Sequence, residues 1–546
     1  MLPSAVNAKA AYPHEQEKFM TRLTKATLLV AVSFGLNKVL AILRQLIIAR
    51  QFGLSAELDV FNVANNVPDL LYALISGGAL AMAIIPVLSE VLTKQGRDAA
   101  WQVLSRIANF AFIVTAGLSL LVAILAVPLV SSPLGIAPGF SASQQTLVVE
   151  LMRLNLIGTL IFSMAGLLIA GLQANQHFLL PALAPILYNL GQIFGAVVLA
   201  PAKGITIMGL TMPAFGMGVH GLVYGVLIGS AFFFLIQIPG LIAYKFKWLP
   251  RLDLNNPDVR KILIMLGPRV AGMLFYQLTF IARDNIASHL AQGAVTSLTY
   301  GWMIQQVPET LIGTALGTTL LPTISELFAR REIRQFKNTL QRSVQVIIAL
   351  ALPSAILLAA ALPPFLALAF GWDSTSTQTL LWVTRAFLFG LVGHCLIEVA
   401  SRAFYAQQNA LIPSIASAIN LGLYVLFGII FSKFLQTPGL GLADSFAFGA
   451  QAILLIVMLI WFMGRKADGK TNIRQVFKTL FSQSAVNLTL IRTLGGSLLG
   501  GTIILMVQPL LSNVLSPAVA GGLALLLGAA ITLPFILKEL RIFLHL

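Results

Sequence analysis

Charge is scarce in this chain. Only 10% of its 546 residues are Asp, Glu, Lys or Arg, against about 25% in soluble globular proteins. So few charges cannot cover the surface of a water-soluble protein of this size. Cysteine is nearly absent: Cys395 stands alone, which excludes an intrachain disulfide and a cysteine-built zinc cluster. The six histidines are scattered, so no metal or other cofactor is expected. No G-x-x-x-x-G-K-[ST] loop occurs, and the chain therefore does not hydrolyse ATP by a P-loop mechanism.

What the sequence has in abundance is apolar residues, at 58%. Runs near or above 20 residues recur from end to end, the signature of transmembrane segments. A backbone exposed to lipid must satisfy its own hydrogen bonds, so spans are helices or a closed barrel. The runs are continuous rather than alternating, which selects helices. The expected class is an all-α polytopic membrane protein of about fourteen transmembrane helices. They lie near 24–50, 59–92, 101–130, 146–173, 181–201, 214–244, 260–290, 295–327, 338–370, 376–407, 411–436, 441–465, 489–512 and 516–542. The first span contains Lys38 and Arg44, unlike the uninterrupted core of a signal peptide, and is read as retained.

The net charge of +16 invites a nucleic-acid reading, but the charges alternate from loop to loop. One side carries Lys9, Lys18, Arg22 and Lys25, then Lys94 and Arg97, then Lys245, Lys247 and Arg251. The same side carries Arg330, Arg331, Arg334 and Lys337, then Arg465, Lys466, Lys470, Arg474 and Lys478, and finally Lys538 and Arg541. The opposite loops near 131–145, 289–296, 369–378 and 511–517 hold no Lys or Arg; only Lys203 and Lys433 fall on that side. The positive-inside rule then places both termini in the cytoplasm. The basic excess is topological, and no nucleic-acid partner is expected.

The chain repeats itself. Ile85-Pro86-Val87-Leu88-Ser89-Glu90 matches Leu321-Pro322-Thr323-Ile324-Ser325-Glu326 at an offset of 236 residues, and Gln173-Ala174-Asn175-Gln176 matches Tyr405-Ala406-Gln407-Gln408-Asn409 at 232. Six spans separate the copies, so both have one orientation, as in transporters built from two parallel bundles. The expected organisation is a cytoplasmic segment (1–23), an N-lobe of spans one to six (24–250), a C-lobe of spans seven to twelve (251–465), a linker (466–488) and two further spans with a tail (489–546). In the linker, Ile473, Val476, Phe477, Leu480 and Phe481 fall at helical spacing, as in an amphipathic interfacial helix. A plain linker is the alternative.

Polar residues inside spans are costly, roughly 2.5–3.5 kcal/mol per charge at mid-bilayer, and they mark pathways. Span one has Asn37, Lys38, Arg44 and Gln45 in two adjacent rows. Span two has Asp59, Asn62, Asn66 and Asp69 spaced three, four and three, with Asn65 beside them, a stripe along one helix face. Span seven has Arg269, Tyr276 and Arg283 in one row, with Gln277 and Asp284 in the next. Span eight has Gln305, Gln306 and Glu309 beside Pro308. Glu398 and Arg402 in span ten read as a structural i,i+4 pair. The stripe on span two is expected to line a water-filled cavity, with Asp59 holding Lys38 or Arg44. Arg and Lys donors suit a phosphate or pyrophosphate.

The residues resemble the MviN/MurJ lipid II flippase family of the multidrug/oligosaccharidyl-lipid/polysaccharide exporter superfamily. The resemblance runs from about Thr24 to the last span. It is carried by Asn37-Lys38-Val39-Leu40 with Leu43-Arg44, by Ala49-Arg50-Gln51-Phe52-Gly53, by Asp59-Val60-Phe61, and by Gly78-Ala79-Leu80 through Pro86-Val87-Leu88. Pro181-Ala182-Leu183-Ala184-Pro185 with Asn189, Leu316-Gly317-Thr318 through Leu321-Pro322, and Ala403-Phe404-Tyr405-Ala406 complete it. It implies two lobes, a central cationic cavity, a groove at the last two helices for an undecaprenyl tail, and alternating access without ATP hydrolysis. Lys38 stands where the family has its first cationic residue, and Arg44 and Asp59 match family positions. The family's arginines after the Pro-x-Leu-Leu turn fall on Tyr72 and Ala73. Its Asp-Arg pair in span eight falls on Trp302 and Met303. Arg283, one span earlier, is a candidate replacement. A sodium site of the type in some members needs acids near Asn420; Tyr424 stands one turn later, and none is expected.

The chain is thus expected to be a transporter rather than an enzyme, flipping lipid II from the inner to the outer leaflet of the bacterial cytoplasmic membrane. The expected substrate-binding residues are Lys38, Arg44, Asp59, Asn62, Asn66, Arg283 and Asp284. The expected partners are the undecaprenyl-pyrophosphate-linked substrate, the membrane and cell-wall synthesis proteins. A flippase or exporter of another lipid-linked glycan, and a non-transporting scaffold for envelope assembly, are the alternatives.

Overall fold

A computed structural model describes residues 13–75, 78–204, 206–207, 210–253, 255–468 and 484–543. The amphipathic stretch expected over residues 473–481 lies outside them, as does the Arg269 side chain. The first half of the chain forms α1 (Pro13–Phe52), α2 (Ala56–Ile75), α3 (Gly78–Gln95), α4 (Arg97–Ile124), α5 (Ala126–Ser131), α6 (Ala142–Ala174), α7 (Leu179–Phe194), α8 (Val219–Leu235) and α9 (Ile238–Ala243). The second half forms α10 (Pro257–Ala287), α11 (Ala294–Glu309), α12 (Ala315–Ala329), α13 (Ile333–Phe370), α14 (Ser374–Phe389), α15 (Leu391–Ala406) and α16 (Leu411–Asp468). α17 (Ser484–Ser512) and α18 (Pro517–Phe543) follow. A two-stranded hairpin pairs Thr206 with Thr211 and Ile207 with Leu210.

Eleven of these stretches are long and apolar enough to cross a membrane. One of them holds two predicted spans: α16 is broken at Gln436, whose φ is 53°. The spans at 59–92 and 260–290 are helical too, as α2 with α3 and as α10. The fourteen-span reading and the all-α fold stand.

The repeat is visible in the backbone. Gln176 and Gln408 both take a left-handed conformation, with φ of 59° and 58°. In each copy the residue after it reaches back five positions, His177 N–H to Leu172 O and Asn409 N–H to Phe404 O. This is the Schellman arrangement that satisfies the last carbonyls of a helix. The matched motifs Gln173–Gln176 and Tyr405–Asn409 are therefore matched helix stops.

Contacts divide the chain into two compact units. One comprises Met1–Gln51, Pro68–Ile124 and Leu151–Leu266; the other comprises Phe52–Val67, Leu125–Glu150 and Gly267–Leu546. α2 belongs to both, and the division falls at Pro68 within it. Proline has no N–H to donate to the carbonyl of Ala64, so the helix is weakest there.

The core of the first unit surrounds Trp101, Leu104 and Leu172, and the Trp101 indole donates to the Tyr244 carbonyl at 3.0 Å. Beside it, glycines let two helices touch. A Cβ on Gly195 would stand 2.6 Å from the Cα of Gly225. Small residues of this kind replace the missing hydrophobic drive between helices in lipid. Gly225→Leu is expected to destabilise the unit by about 3 kcal/mol or more, since the strain of overpacking has no soft neighbour to absorb it. Thermal unfolding of the detergent-solubilised protein measures this, and an unchanged transition would show the helices free to part.

In the second unit, one core packs α12, α13, α15 and the latter part of α16 around Phe336, Phe404 and Leu455. α17 and α18 are tied by Glu539, which is buried, accepts from Thr489 Oγ1 at 2.9 Å and pairs with Arg492.

Candidate functional site

Within the first unit, Asn37 and Arg44 are two turns apart on α1, so they present one face. Asn189 of α7 meets both. Its Oδ1 accepts from Arg44 Nη1 at 3.0 Å, and its Nδ2 donates to Asn37 Oδ1 at 2.8 Å. The amide is buried and so works as a fixed bracket for the guanidinium. Asp69 of α2 lies within electrostatic reach of Arg44 and is not covered by neighbouring side chains, so the cation has a carboxylate close by. Tyr72, Phe162 and Tyr188 form an aromatic wall beside it, with ring centres 5.5 Å and 4.7 Å apart. Lys38 is exposed and has no hydrogen bond or ion pair among the described residues. The first unit therefore offers one braced cation and one loose cation, and both are donors fitted to an oxyanion.

In the second unit three residues of the α2 stripe meet polar partners on 284–296. Asp59 is 2% exposed. Its carboxylate accepts from Gly293 N at 2.6 Å, Thr296 N at 2.7 Å and Thr296 Oγ1 at 2.7 Å. It caps α11, satisfying N–H groups that the helix cannot satisfy itself and facing the positive end of its dipole. Asn62 Nδ2 donates to Thr296 Oγ1 at 3.2 Å, and Asn66 Nδ2 donates to Asp284 Oδ2. Asp59, Asn62 and Asn66 thus build a polar seam against 284–296, and the carboxylate expected to hold Lys38 or Arg44 is engaged by a helix N-terminus instead. The reason lies in a sequence-distant partner. A carboxylate and two amides along one face need donors and acceptors opposite them, and Thr296 and Asp284 supply these as well as water would. Only Asp69, beyond Pro68, keeps an exposed side chain.

Arg283 and Asp284 pair at 2.8 Å, both almost fully buried. The guanidinium carbon stands 5.1 Å from the centre of the Phe280 ring, a cation–π distance. It lines a small cavity with Tyr276, Trp302, Tyr424, Asp444 and Phe448. So the arginine one span earlier does share a cavity with Trp302, the residue that stands where the family resemblance expects a charge.

A further group escaped notice in the sequence. His394 Nε2 and Asp444 Oδ2 are 2.8 Å apart and buried. The imidazole is stacked on Phe448 with ring centres 4.1 Å apart. A lone His in one apolar span and a lone Asp in another are each a signal of intramembrane function, but nothing in their spacing announces that they meet. Asn189 and Tyr188 likewise gave no sign of meeting the α1 and α2 residues, although Asn189 lies in a motif already singled out.

Comparison with known proteins agrees on one family. The family model described as "Lipid II flippase MurJ" matches residues 48–520. A lipid II flippase MurJ of Burkholderia cenocepacia is 31% identical over 463 residues, covering 82% of this chain and 84% of that one. The chain belongs to the MurJ family. A probable lipid II flippase MurJ of Vibrio cholerae is 24% identical, covering 82% of this chain and 87% of that one. Among solved structures, a MurJ in an inward closed conformation superposes with a TM-score of 0.70 at 19% identity, over 93% of this chain and 98% of that one. An inward-facing MATE multidrug transporter gives 0.65 at 15% identity, over 80% and 99%. These two likenesses establish a common fold. Trp302 shares its small cavity with Arg283 of the same unit.

Proposed function

We propose that this protein carries lipid II, the undecaprenyl-pyrophosphate-linked peptidoglycan precursor, from the inner to the outer leaflet of the bacterial inner membrane by alternating access. Membership of the MurJ family supports the substrate. The observation that carries the mechanism is Arg44, a cation inside a membrane span, held by Asn189 and within electrostatic reach of Asp69. An aliphatic scaffold gains nothing from such a residue, whereas a pyrophosphate needs one. In this reading Arg44 and Lys38 receive the pyrophosphate, and Arg283 with Asp284 faces the sugar or peptide part. The seam of Asp59, Asn62 and Asn66 parts when the outer side opens. The chain acts as two six-helix lobes (24–250 and 251–465) with α17 and α18 attached, has both termini in the cytoplasm, and works beside cell-wall synthesis proteins.

Depleting the protein and measuring lipid II in each leaflet tests the function. Lipid II is expected to accumulate on the inner leaflet; a normal outward supply would overturn the proposal. Topology has its own test. Cysteines placed at Ser143 and at Gln292, both exposed, are expected to react with an impermeant thiol reagent added outside, and one at Gln335 is not. Native Cys395 is fully buried and contributes little background. Labelling at position 335 in intact cells would overturn the orientation.

A further inference from the structure

We propose that His394 and Asp444 form a proton-binding site whose occupancy is coupled to transport, so that protons are a second ligand of this flippase. The proposal rests on the transport reading above and adds an ion to it.

The argument begins with charge. His394 lies on α15 and Asp444 on the second half of α16, both inside the membrane-spanning bundle of the second unit. Glu309 of α11 and Glu398 of α15 are within electrostatic reach of the imidazole. The cations facing this region are already matched. Arg402 pairs with Glu398, and Arg283 pairs with Asp284 at 2.8 Å. Tyr276, Tyr424 and Cys395 complete the titratable groups around it, and none of them carries positive charge. What remains is Asp444 and Glu309, two carboxylates, with one imidazole between them. Isolated charge is expensive in such an environment. The group reaches neutrality by taking up protons: one on His394 balances Asp444, and one more balances Glu309. An imidazole 2.8 Å from a carboxylate is a pair that one proton joins.

The second observation is an orphan. The Tyr424 hydroxyl is buried, with the residue 1% exposed, and it has no hydrogen-bond partner among the described residues. It lines the same small cavity as Asp444. A buried hydroxyl left without a partner is costly and calls for a water molecule, and water beside Asp444 gives protons a way in.

The backbone supplies the coupling. Glu309 is the last residue before a π-helical turn, Thr310–Thr314, and such turns concentrate at functional sites. That turn packs so closely on α15 that a Cβ on Gly313 would stand 2.8 Å from the Cα of Cys395, next to His394. Asp444 follows the break in α16 at Gln436. The titrating groups thus sit where the helices can yield, and a change in charge there alters which helix packing is favoured.

The test uses purified full-length protein in detergent and in vesicles between pH 5 and 8, the range in which histidine changes charge. Intrinsic tryptophan fluorescence, to which Trp302 in the cavity with Asp444 contributes, reports protonation as the step that variants of this site lose. Wild type is expected to titrate, with His394→Gln and Asp444→Asn losing that step and the control His289→Gln keeping it. Flipping of fluorescent lipid II in vesicles is expected to vary by up to about tenfold per pH unit in wild type, the slope of one bound proton, and to be nearly flat in both variants. A fluorescence step that survives in either folded variant would overturn the site. A step lost without change in the pH profile of flipping would overturn the coupling. Vesicles in which wild type flips nothing would count against the substrate reading, while the fluorescence arm still judges the site.

Discussion

Arg44→Ala is expected to abolish the ability of this protein to support growth while leaving it folded in the membrane. The guanidinium gives one hydrogen bond to Asn189 at 3.0 Å, but Asn189 keeps Asn37 and the Pro185 carbonyl as partners at 2.8 Å and 3.1 Å. The fold therefore loses little. The substrate loses a donor that no neighbour replaces, because Lys38 is the other cation of that face and lies on the adjacent row of α1. A charge-assisted hydrogen bond contributes about 1.5–3 kcal/mol, so binding is expected to weaken roughly tenfold to 150-fold. Lys38→Ala should weaken transport less, since an exposed ammonium is already hydrated. Lys38→Arg should be tolerated, because it keeps the charge and adds donors. Complementation at native expression, with membrane levels measured in parallel, decides the matter. Normal growth of the Arg44→Ala strain would remove Arg44 from the mechanism.

The span positions were legible because a bilayer writes a strong one-dimensional signal: length, hydropathy and the alternation of basic loops all constrain the same answer. The matched helix stops at Gln176 and Gln408 were legible as repeated motifs. The partners of polar residues were not. Periodicity placed Asp59, Asn62 and Asn66 on one face correctly, but a face can meet water or another helix with equal satisfaction of its amides. The choice was made by Thr296 and Asp284, more than 200 positions away. The same limit hid His394 and Asp444, which are 50 residues apart and meet because α16 turns back on itself at Gln436. Arg44 escaped the ambiguity only in part: its charge marked it as functional, and its bracket, Asn189, came from the fold.

Asp59→Ala is expected to destabilise the protein by about 3 kcal/mol, the loss of a buried charged acceptor serving several donors at once. Three donors converge on that carboxylate, from Gly293 and twice from Thr296, and alanine leaves them facing an apolar void at the start of α11. Asp59→Asn should cost roughly half as much, since an amide oxygen still accepts while its Nδ2 points at N–H groups and the attraction to the helix dipole is lost. Gly293 belongs to the same joint. Its φ is 83°, and a Cβ there would stand 2.5 Å from the Leu54 Cβ, so Gly293→Ala disturbs the same packing from the other side. Two substitutions acting on one joint are not additive: the double variant should lose clearly less stability than the two single losses combined. The thermal midpoint of the purified variants measures this, and vesicle flipping separates the roles. If Asp59→Ala unfolds at the wild-type temperature yet no longer flips lipid II, the carboxylate acts on the substrate, and the seam between α2 and α11 is a consequence of the conformation rather than its cause.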